Sequence, residues 1–329
     1  MKITPGTFAF PAMACAILII VGSGSAHAQP PKCDSTIYQC GCTIGTPGTY
    51  ELANELDASQ GLTVKNGCID IEGQNIKLNA AYPIVGPGND GSCGCMHDPT
   101  GAGGPSVNCP SVKVKLASPS GVGIHVLPSA QNVTIYNSAP ICGWNYAVES
   151  EGSKVYFSTG MRDGVISLNN VGVLLNNATD NDVWDVSSQD NGTGFQIAGG
   201  SGNTITGNFA AFNSQYGFWL DGSQGNTVSG NEAERNTLAG YYLGCSAKGD
   251  FHPLIPCTIT TTTGNTVTSN DSHANNYGIA LERESIYNQI ESNTVSDSFK
   301  VDMVDGNGNC IYNTYLDNTY TTKNLPCIQ

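Results

Sequence analysis

Short apolar segments that each follow a glycine recur through the second half of the chain. In each segment the residues one and three places after the glycine are apolar, as in Gly217-Phe218-Trp219-Leu220. This alternation predicts a β-strand with one face in a core, because successive side chains of a strand point to opposite faces. Segments with this pattern begin at Gly172, Gly194, Gly217, Gly240 and Gly278.

A second phrase, which runs from one asparagine to another, lies in phase with these strands. It reads Asn203-Thr204-Ile205-Thr206-Gly207-Asn208, returns at Asn226, Asn265 and Asn288, and has a fainter copy from Asn309 to Asn313. The steps between copies are 23, 39, 23 and 21 residues. A unit of about 22 residues with two short strands is too short for a pair of helices, which predicts a coil of a parallel β-helix.

Equivalent residues of stacked coils form columns along the axis, with a spacing of about 4.8 Å between coils. We expect the closing asparagines to stack as a ladder at a corner of the coil, because side-chain amides can satisfy the backbone there. The predicted column consists of Asn208, Asn231, Asn270, Asn293 and Asn313.

The first half of the chain has similar strands in a less regular arrangement, such as Gly123-Ile124-His125-Val126. We interpret residues 33–48 as an N-terminal cap, residues 86–110 as a loop tied by disulfides, and residues 245–257 as an insertion in one coil. Because stacked coils share one core, the sequence predicts a single all-β domain over residues 29–329, a right-handed parallel β-helix of roughly nine to twelve coils.

The start of this domain resembles exported right-handed parallel β-helix repeat proteins of the pectate-lyase-like superfold. The resemblance lies in Gly48-Thr49-Tyr50-Glu51-Leu52, Cys68-Ile69-Asp70-Ile71 and Asn75-Ile76-Lys77-Leu78-Asn79, and the later coils are similar to NosD-type repeats. Relatives implied by the resemblance include pectate lyases, polygalacturonases, alginate epimerases, phage tailspikes and accessory proteins of copper enzyme assembly. The polygalacturonase motifs Asn-Thr-Asp, Asp-Asp, Gly-His-Gly and Arg-Ile-Lys do not occur in this chain, and a shared fold does not choose among these functions.

The ends and the composition of the chain indicate an exported protein. Residues 1–28 have the features of a secretory signal, with Lys2, an apolar run and Ala26-His27-Ala28 as a cleavage site. The chain should therefore be secreted, to the periplasm or the extracellular space, and no later segment is apolar enough to span a membrane. A formal net charge of −14 makes nucleic acid a poor partner.

Removal of Cys15 with the signal leaves 12 of the 13 cysteines, an even number that indicates disulfides in an exported protein. We expect Cys245 to pair with Cys257 and Cys310 with Cys327, while the connectivity of the other eight is open. No Cys-x-x-Cys pair occurs, and His273 is expected to be a solvated or corner residue. The sequence therefore predicts no metal site and no cofactor.

The residue two places after each glycine should point away from the core. This rule predicts an outward column of His125, Leu174, Gln196, Trp219, Tyr242, Ala280 and Asp302. The next outward positions are Asn176, Ala198, Asp221, Gly244 and Glu282, with Arg283 beside the last. Gln196, Trp219, Tyr242 and Arg283 are predicted to bind a polysaccharide, because sugars stack on aromatic rings and bond to polar groups. The alternative is that the 245–257 insertion folds over the two rings and buries them.

Three carboxyl groups are candidates for catalysis, namely Asp221, Glu282 and Asp302. Asp221 and Glu282 should lie two coils apart, about 9.6 Å before side-chain reach, which suits hydrolysis. Hydrolysis is favoured over lyase chemistry because basic residues are sparse. A different hypothesis is a non-catalytic surface scaffold or adhesin that binds a protein or cell-wall partner. The sequence does not determine the oligomeric state.

Overall fold

The computed structural model describes residues 31–58, 67–88, 93, 121–160, 164–244, 261–310 and 312–329. The predicted signal, the 245–257 insertion with its Cys245–Cys257 pair, and most of the 86–110 loop lie outside the described residues. The division of the chain into one domain with a cap, a loop and an insertion stays a prediction.

Thirty short strands form three parallel sheets within the described residues. Sheet A contains Cys42–Ile44, Gly67–Ile71, Val122–Val126, Tyr146–Ser150, Val171–Asn176, Thr193–Ala198, Tyr216–Asp221, Ala239–Leu243, Tyr277–Leu281 and Val301–Asp305. Sheet B contains Thr36–Ile37, Gly48–Leu52, Gln74–Ala80, Gln131–Asn137, Ser153–Ser158, Asp182–Trp184, Thr204–Thr206, Thr227–Ser229, Thr266–Thr268, Gln289–Glu291 and Thr314–Leu316. Sheet C contains Leu56–Asp57, Ile84–Val85, Ile141–Cys142, Val165–Ser167, Ser187–Gln189, Phe209–Ala211, Glu232–Glu234, Asp271–His273 and Thr294–Ser296.

The chain visits the three sheets in turn, and each strand pairs in parallel with the equivalent strand one coil away. About nine coils of about 24 residues result, which confirms the predicted parallel β-helix. A 3-10 helix, Gly308–Cys310, follows the last strand of sheet A. Among the described residues, no helix is long and apolar enough to cross a membrane.

Apolar side chains fill the interior in columns that follow the predicted alternation. The rings of Phe195, Phe218 and Tyr241 stack at centroid distances of 4.8 and 4.9 Å, with interplanar angles of 5°. All three are buried, as are the leucines next to them. Offset rings on successive coils stack favourably because the spacing between neighbouring strands, about 4.8 Å, lies within the range of centroid distances that aromatic pairs prefer.

Three asparagine ladders line the three corners of the coil. The first ladder precedes sheet B, the second lies between sheets B and C, and the third lies between sheets C and A. The first contains Asn181, Asn203, Asn226, Asn265, Asn288 and Asn313. The second contains Asn208, Asn231, Asn270, Asn293 and Asn318, and the third contains Asn169, Asn191, Asn213, Asn236 and Asn275. Each backbone N–H donates to the side-chain oxygen one coil further on, so the buried corner is satisfied without water.

The predicted asparagine column was correct for its first four members and wrong for the fifth. Asn313 belongs to the first ladder, and Asn318 completes the second, since the backbone N–H of Asn293 donates to its Oδ1 at 3.1 Å. The last copy of the repeat therefore runs from Asn313 to Asn318, around the strand Thr314–Leu316, and not from Asn309 to Asn313.

Four disulfides lie among the described residues. Cys33–Cys42 and Cys40–Cys68 secure the N-terminal coil, and Cys93 is tied to Cys142. Cys310–Cys327 holds the C-terminal tail on the last coil, which confirms the predicted pairing.

Candidate functional site

The outer face of sheet A carries two neighbouring columns of outward-pointing residues. Strand register aligns the first outer column as Asp70, His125, Glu149, Leu174, Gln196, Trp219, Tyr242, Ala280 and Val304. Backbone pairing aligns the second outer column as Glu151, Asn176, Ala198, Asp221, Gly244 and Glu282. The predicted positions from His125 to Ala280, and those from Asn176 to Glu282, therefore occupy these columns.

Asp302 does not lie in the outer columns, so its predicted placement was wrong. The last strand of sheet A is displaced by two residues, which puts Val304 beside Ala280. The Asp302 carboxylate instead accepts backbone hydrogen bonds from Ser298, Thr321 and Thr322 at 2.9 to 3.2 Å. Although burial alone would raise its pKa, these bonds lower the pKa of Asp302 below 3.8. Asp302 holds the C-terminal tail.

Tyr242 was expected to face solvent beside Trp219, and this expectation was wrong. The Tyr242 ring is fully buried, while Trp219 is partly exposed. Tyr216 stacks on Tyr242 at 4.7 Å with an interplanar angle of 6°, and Trp219 lies tilted at 6.4 Å. These three rings are called the aromatic cluster below. Trp219 Nε1 donates to the carbonyl of Gly244 at 2.7 Å, which fixes the indole on the outer face.

Asp221 and Glu282 flank Gly244 in the second outer column. A Cβ atom at Gly244 would lie 2.5 Å from Glu282 Oε2 and 3.0 Å from the Tyr242 hydroxyl. The missing side chain is therefore what allows the Glu282 carboxyl to fold over this rung. Burial first, and then the Glu282 carboxylate that accepts the hydroxyl hydrogen bond, raise the pKa of Tyr242 well above 10. The aromatic cluster is thus closed on its outer side by this carboxylate.

The Asp221 carboxyl is the strongest candidate for proton chemistry on this part of the face. Burial raises its pKa from 3.8 to about 6, although the side chain of Gln196 donates to its Oδ2 at 3.2 Å and opposes the shift. A carboxyl with such a pKa is partly protonated near neutral pH, and it can donate a proton there.

An acid–histidine cluster lies at the other end of the same columns and consists of Asp70, His125, Glu149 and Glu151. His125 Nε2 is 3.2 Å from Glu151 Oε2, and Nδ1 is 3.5 Å from Asp70 Oδ1. Burial alone would lower the pKa of His125, but the hydrogen bonds with Asp70 and Glu151 and the charge of Glu149 together raise it above 6.5. Burial also raises the pKa of Glu149, whose Oε1 accepts from Asn176 at 3.1 Å. The cluster can hold a proton near neutral pH.

Sequence reasoning placed His125 in the column but missed its three carboxyl partners. The signal was present, because Cys68-Ile69-Asp70-Ile71 and Ala147-Val148-Glu149-Ser150 have the same alternation as the later strands. Neither segment begins with a glycine in the same position as the later strands, so the glycine-based alignment did not include them.

A second group of polar residues lies on sheet C and contains Glu232, Glu234 and His273. Their potential donor atoms all lie within 4.8 Å of one another. His273 Nε2 is 3.8 Å from Oε1 of both glutamates, and Arg235 forms an ion pair with Glu234. Arg283, predicted to bind substrate, is exposed and lies around the corner that follows Glu282.

Comparison with known proteins gives one family and several structures. The family described as "Periplasmic copper-binding protein (NosD)" matches residues 147–326, and a search of curated proteins found no match. The A-module of mannuronan C-5 epimerase AlgE4 from Azotobacter vinelandii is 13% identical, with a TM-score of 0.49, over 89% of this chain and 84% of that chain.

Two further solved structures are similar at a comparable level. The Dettilon tailspike protein is 12% identical with a TM-score of 0.41, over 89% of this chain and 59% of its own length. An exopolygalacturonase from Thermotoga maritima is 7% identical with a TM-score of 0.40, over 80% of this chain and 76% of that chain. Similarities at this level carry no information about the ligand of this chain.

The family description raises the question whether these residues fit copper. Copper(I) takes soft sulfur ligands, whereas the cysteines among the described residues are joined in disulfides and the one described methionine, Met303, is buried in the core. The Glu232, Glu234 and His273 group offers one imidazole nitrogen and two carboxylate oxygens, and Arg235 already neutralises Glu234. This donor set does not fit a copper site.

Proposed function

The chain belongs to the NosD family, and from this premise we propose that it is an exported protein that binds a polysaccharide along the outer face of sheet A. The four disulfides support export, since such bonds persist in oxidising compartments. The observation that carries the binding proposal is the pair of aligned outer columns.

The columns offer a repeating surface to a repeating ligand. Half-buried polar side chains recur on successive rungs from His125 to Asp221, and rungs of a sheet are about 4.8 Å apart. A linear sugar polymer laid along the axis would meet the half-buried side chains of Glu151, Asn176, Gln196 and Asp221 on four successive rungs. Trp219 presents a partly exposed ring, which suits the apolar face of a pyranose.

A neutral polysaccharide fits this surface better than an acidic one. Carboxyl groups recur in both columns, and the chain carries a formal charge of −14. These carboxyl groups belong to Asp70, Glu149, Glu151, Asp221 and Glu282. A uronate polymer would be repelled by this field. Hydroxyl groups, in contrast, can donate to the half-buried carboxyl groups of Glu151 and Asp221.

The test is retention of the full chain on neutral soluble polysaccharides in affinity electrophoresis. We expect the wild-type protein to be retarded by at least one polymer of the panel, and Trp219→Ala to lose most of that retardation because the stacking ring is gone. Phe299→Ala is the matched control, since Phe299 is 77% exposed and lies away from the outer columns. Equal retardation of Trp219→Ala and wild type would contradict the proposal, and no retardation of wild type would favour a scaffold that binds a protein partner.

Hydrolysis of the bound polymer is a second candidate function, which the raised pKa of Asp221 specifically favours. In this reaction the protonated Asp221 donates its proton to the glycosidic oxygen of the leaving sugar, while Glu282 takes a proton from the water molecule that attacks the anomeric carbon, so the bond is cleaved to two hydroxyl groups. The retained polymer should then shorten during incubation with wild type but keep its length with Asp221→Asn. An unchanged size distribution with wild type would leave binding alone.

A further inference from the structure

The corner that precedes the first asparagine ladder changes its residue type near the C-terminal end. This position is occupied by Asp180, Gly202, Gly225 and Gly264 in four coils, and then by Tyr287 and Tyr312. The backbone φ angle is positive at the first five of these residues, between 55° and 70°, and it is 59° at Tyr287. Left-handed geometry favours glycine, so the fold itself does not call for a tyrosine at position 287.

The two tyrosine rings lie together on the surface. Their centroids are 5.8 Å apart at an interplanar angle of 74°, and the Tyr287 N–H donates to the Tyr312 carbonyl at 2.6 Å. Tyr287 is 62% exposed and Tyr312 is 48% exposed. The fold gains little burial from these rings, although it accepts an unfavourable backbone conformation at one of them.

The rings form one wall of a surface cavity of about 500 Å³. Thr261, Arg283, Glu284 and Asn307 contribute the polar part of the lining. Glu284 also has a positive φ of 76°, and its N–H donates to Asn307 Oδ1 at 2.7 Å. Two residues with left-handed backbone thus hold a charged side chain and an aromatic ring at the same cavity.

We propose that Tyr287, Tyr312, Arg283 and Glu284 form a binding subsite for a neutral pyranose unit, at the end of the polysaccharide that the outer face of sheet A binds. This inference rests on the proposed function. Arg283 directly follows Glu282, the last acidic residue of the second outer column, so the subsite continues the outer face around the corner of the coil.

The lining selects a neutral sugar by its chemistry. Two rings at nearly a right angle offer one face for stacking and one edge for van der Waals contact. The guanidinium of Arg283 donates hydrogen bonds, the carboxylate of Glu284 accepts them, and a sugar hydroxyl can do both. The opposite charges of this pair favour neither a cationic nor an anionic ligand.

The experiment measures binding of cellohexaose, xylohexaose, mannohexaose and laminarihexaose to the full chain by titration calorimetry. Tyr287→Gly removes one ring and installs the residue found in three preceding coils, so we expect its melting temperature to equal or exceed that of wild type. Its affinity for the hexasaccharide that wild type binds should fall roughly tenfold, as for loss of an aromatic anchor. Tyr136→Ala serves as the control, since it removes another exposed ring, on sheet B.

The outcomes separate this subsite from the proposed function. Unchanged affinity of Tyr287→Gly, together with weakened binding by Trp219→Ala, would overturn the subsite and leave the outer-face site intact. Retention of a polymer by wild type without binding of any of the four hexasaccharides would also overturn the subsite. Failure to bind both polymers and hexasaccharides would overturn both proposals.

Discussion

Asp221 shows how one half-buried carboxyl can link stability to pH on this surface. Its side chain lies between Gln196 and the rung of Gly244, where water cannot solvate the charge fully. The raised pKa, about 6, means that the native state binds this proton more tightly than the unfolded chain does. Between about pH 4 and pH 6 the free energy of unfolding therefore falls as pH rises. Above pH 6 the native state carries the full desolvation penalty of the ionised Asp221.

Asp221→Asn should remove this penalty. We expect the variant to be more stable than wild type at pH 7.5 by about 3 kcal/mol, because an amide carries no charge to desolvate, and about equally stable near pH 3, where Asp221 is mostly protonated in both states. Urea unfolding at the two pH values measures the difference. A stability difference that is the same at both pH values would refute the assignment of the raised pKa to Asp221.

The residues of the outer face were predictable to different degrees. Gln196, Trp219 and Asp221 were placed correctly because their strands share one glycine-led phrase. Burial of Tyr242 by the 245–257 insertion was the alternative that the sequence offered, but its contact with Tyr216 was not predictable, since Tyr216 stacks on it from a non-equivalent position of the neighbouring strand. Asp302 was misplaced because the repeat phrase is lost before the last strand of sheet A, and nothing local marks the two-residue displacement.

At the scale of the element, the asparagine ladders determine which corner residues can be replaced without loss of stability. Asn231 accepts from both nitrogens of Asn208, and its own Nδ2 donates to the Ile205 carbonyl and to Asn270 Oδ1. The donors and acceptors involved are buried, so each missing partner leaves an unsatisfied group without water.

Asn231→Ala should therefore destabilise the protein by about 2 to 4 kcal/mol, since several buried groups lose their partners at once. Asn318→Ala, at the exposed end of the same ladder, should cost clearly less. Chemical denaturation of the two variants checks this ordering. Equal losses would mean that the ladder stabilises the coil through something other than buried hydrogen bonds.

The ladders also show where sequence periodicity is sufficient and where it fails. Copies with the full six-residue phrase were aligned correctly, because both of its asparagines are fixed by backbone requirements in every coil. In the final coil two overlapping segments could be the last copy of the phrase, one that begins at Asn309 and one that begins at Asn313. The interval between successive copies, which is 21 residues for Asn309, favoured the wrong segment. The correct copy is identified by the interval within the phrase. Five residues separate the asparagine of the first ladder from that of the second, as from Asn288 to Asn293 and from Asn313 to Asn318.

At the scale of the whole molecule, three of the four disulfides among the described residues lie at the ends of the solenoid. Each coil contacts its two neighbours, so a terminal coil has half the stacking surface of an internal one. Cys33–Cys42 and Cys40–Cys68 compensate at the N-terminal end, and Cys310–Cys327 does so at the C-terminal end.

Replacing Cys310 and Cys327 together by serine should loosen only the C-terminal coils. We expect hydrogen exchange to accelerate by at least about tenfold in residues 312–329, because the cross-link limits local unfolding of the tail, while residues 181–243 keep their protection. Mass spectrometry of exchanged peptides from the variant and wild type measures this. Uniform acceleration over all coils would show that the solenoid opens as one cooperative unit.

The continuity of the three ladders has a consequence for how proteins of this kind can change in length. Removing residues 203–225 would join Gly202 to Asn226, and Asn181 and Asn191 would then face Asn226 and Asn236 across the junction, so the first and third ladders would run on unbroken. The outer face would become one rung shorter and would otherwise keep its order. The number of rungs on the outer face is therefore set by duplication or loss of single coils, and under the proposed function each coil would change the length of polymer in contact by about 4.8 Å.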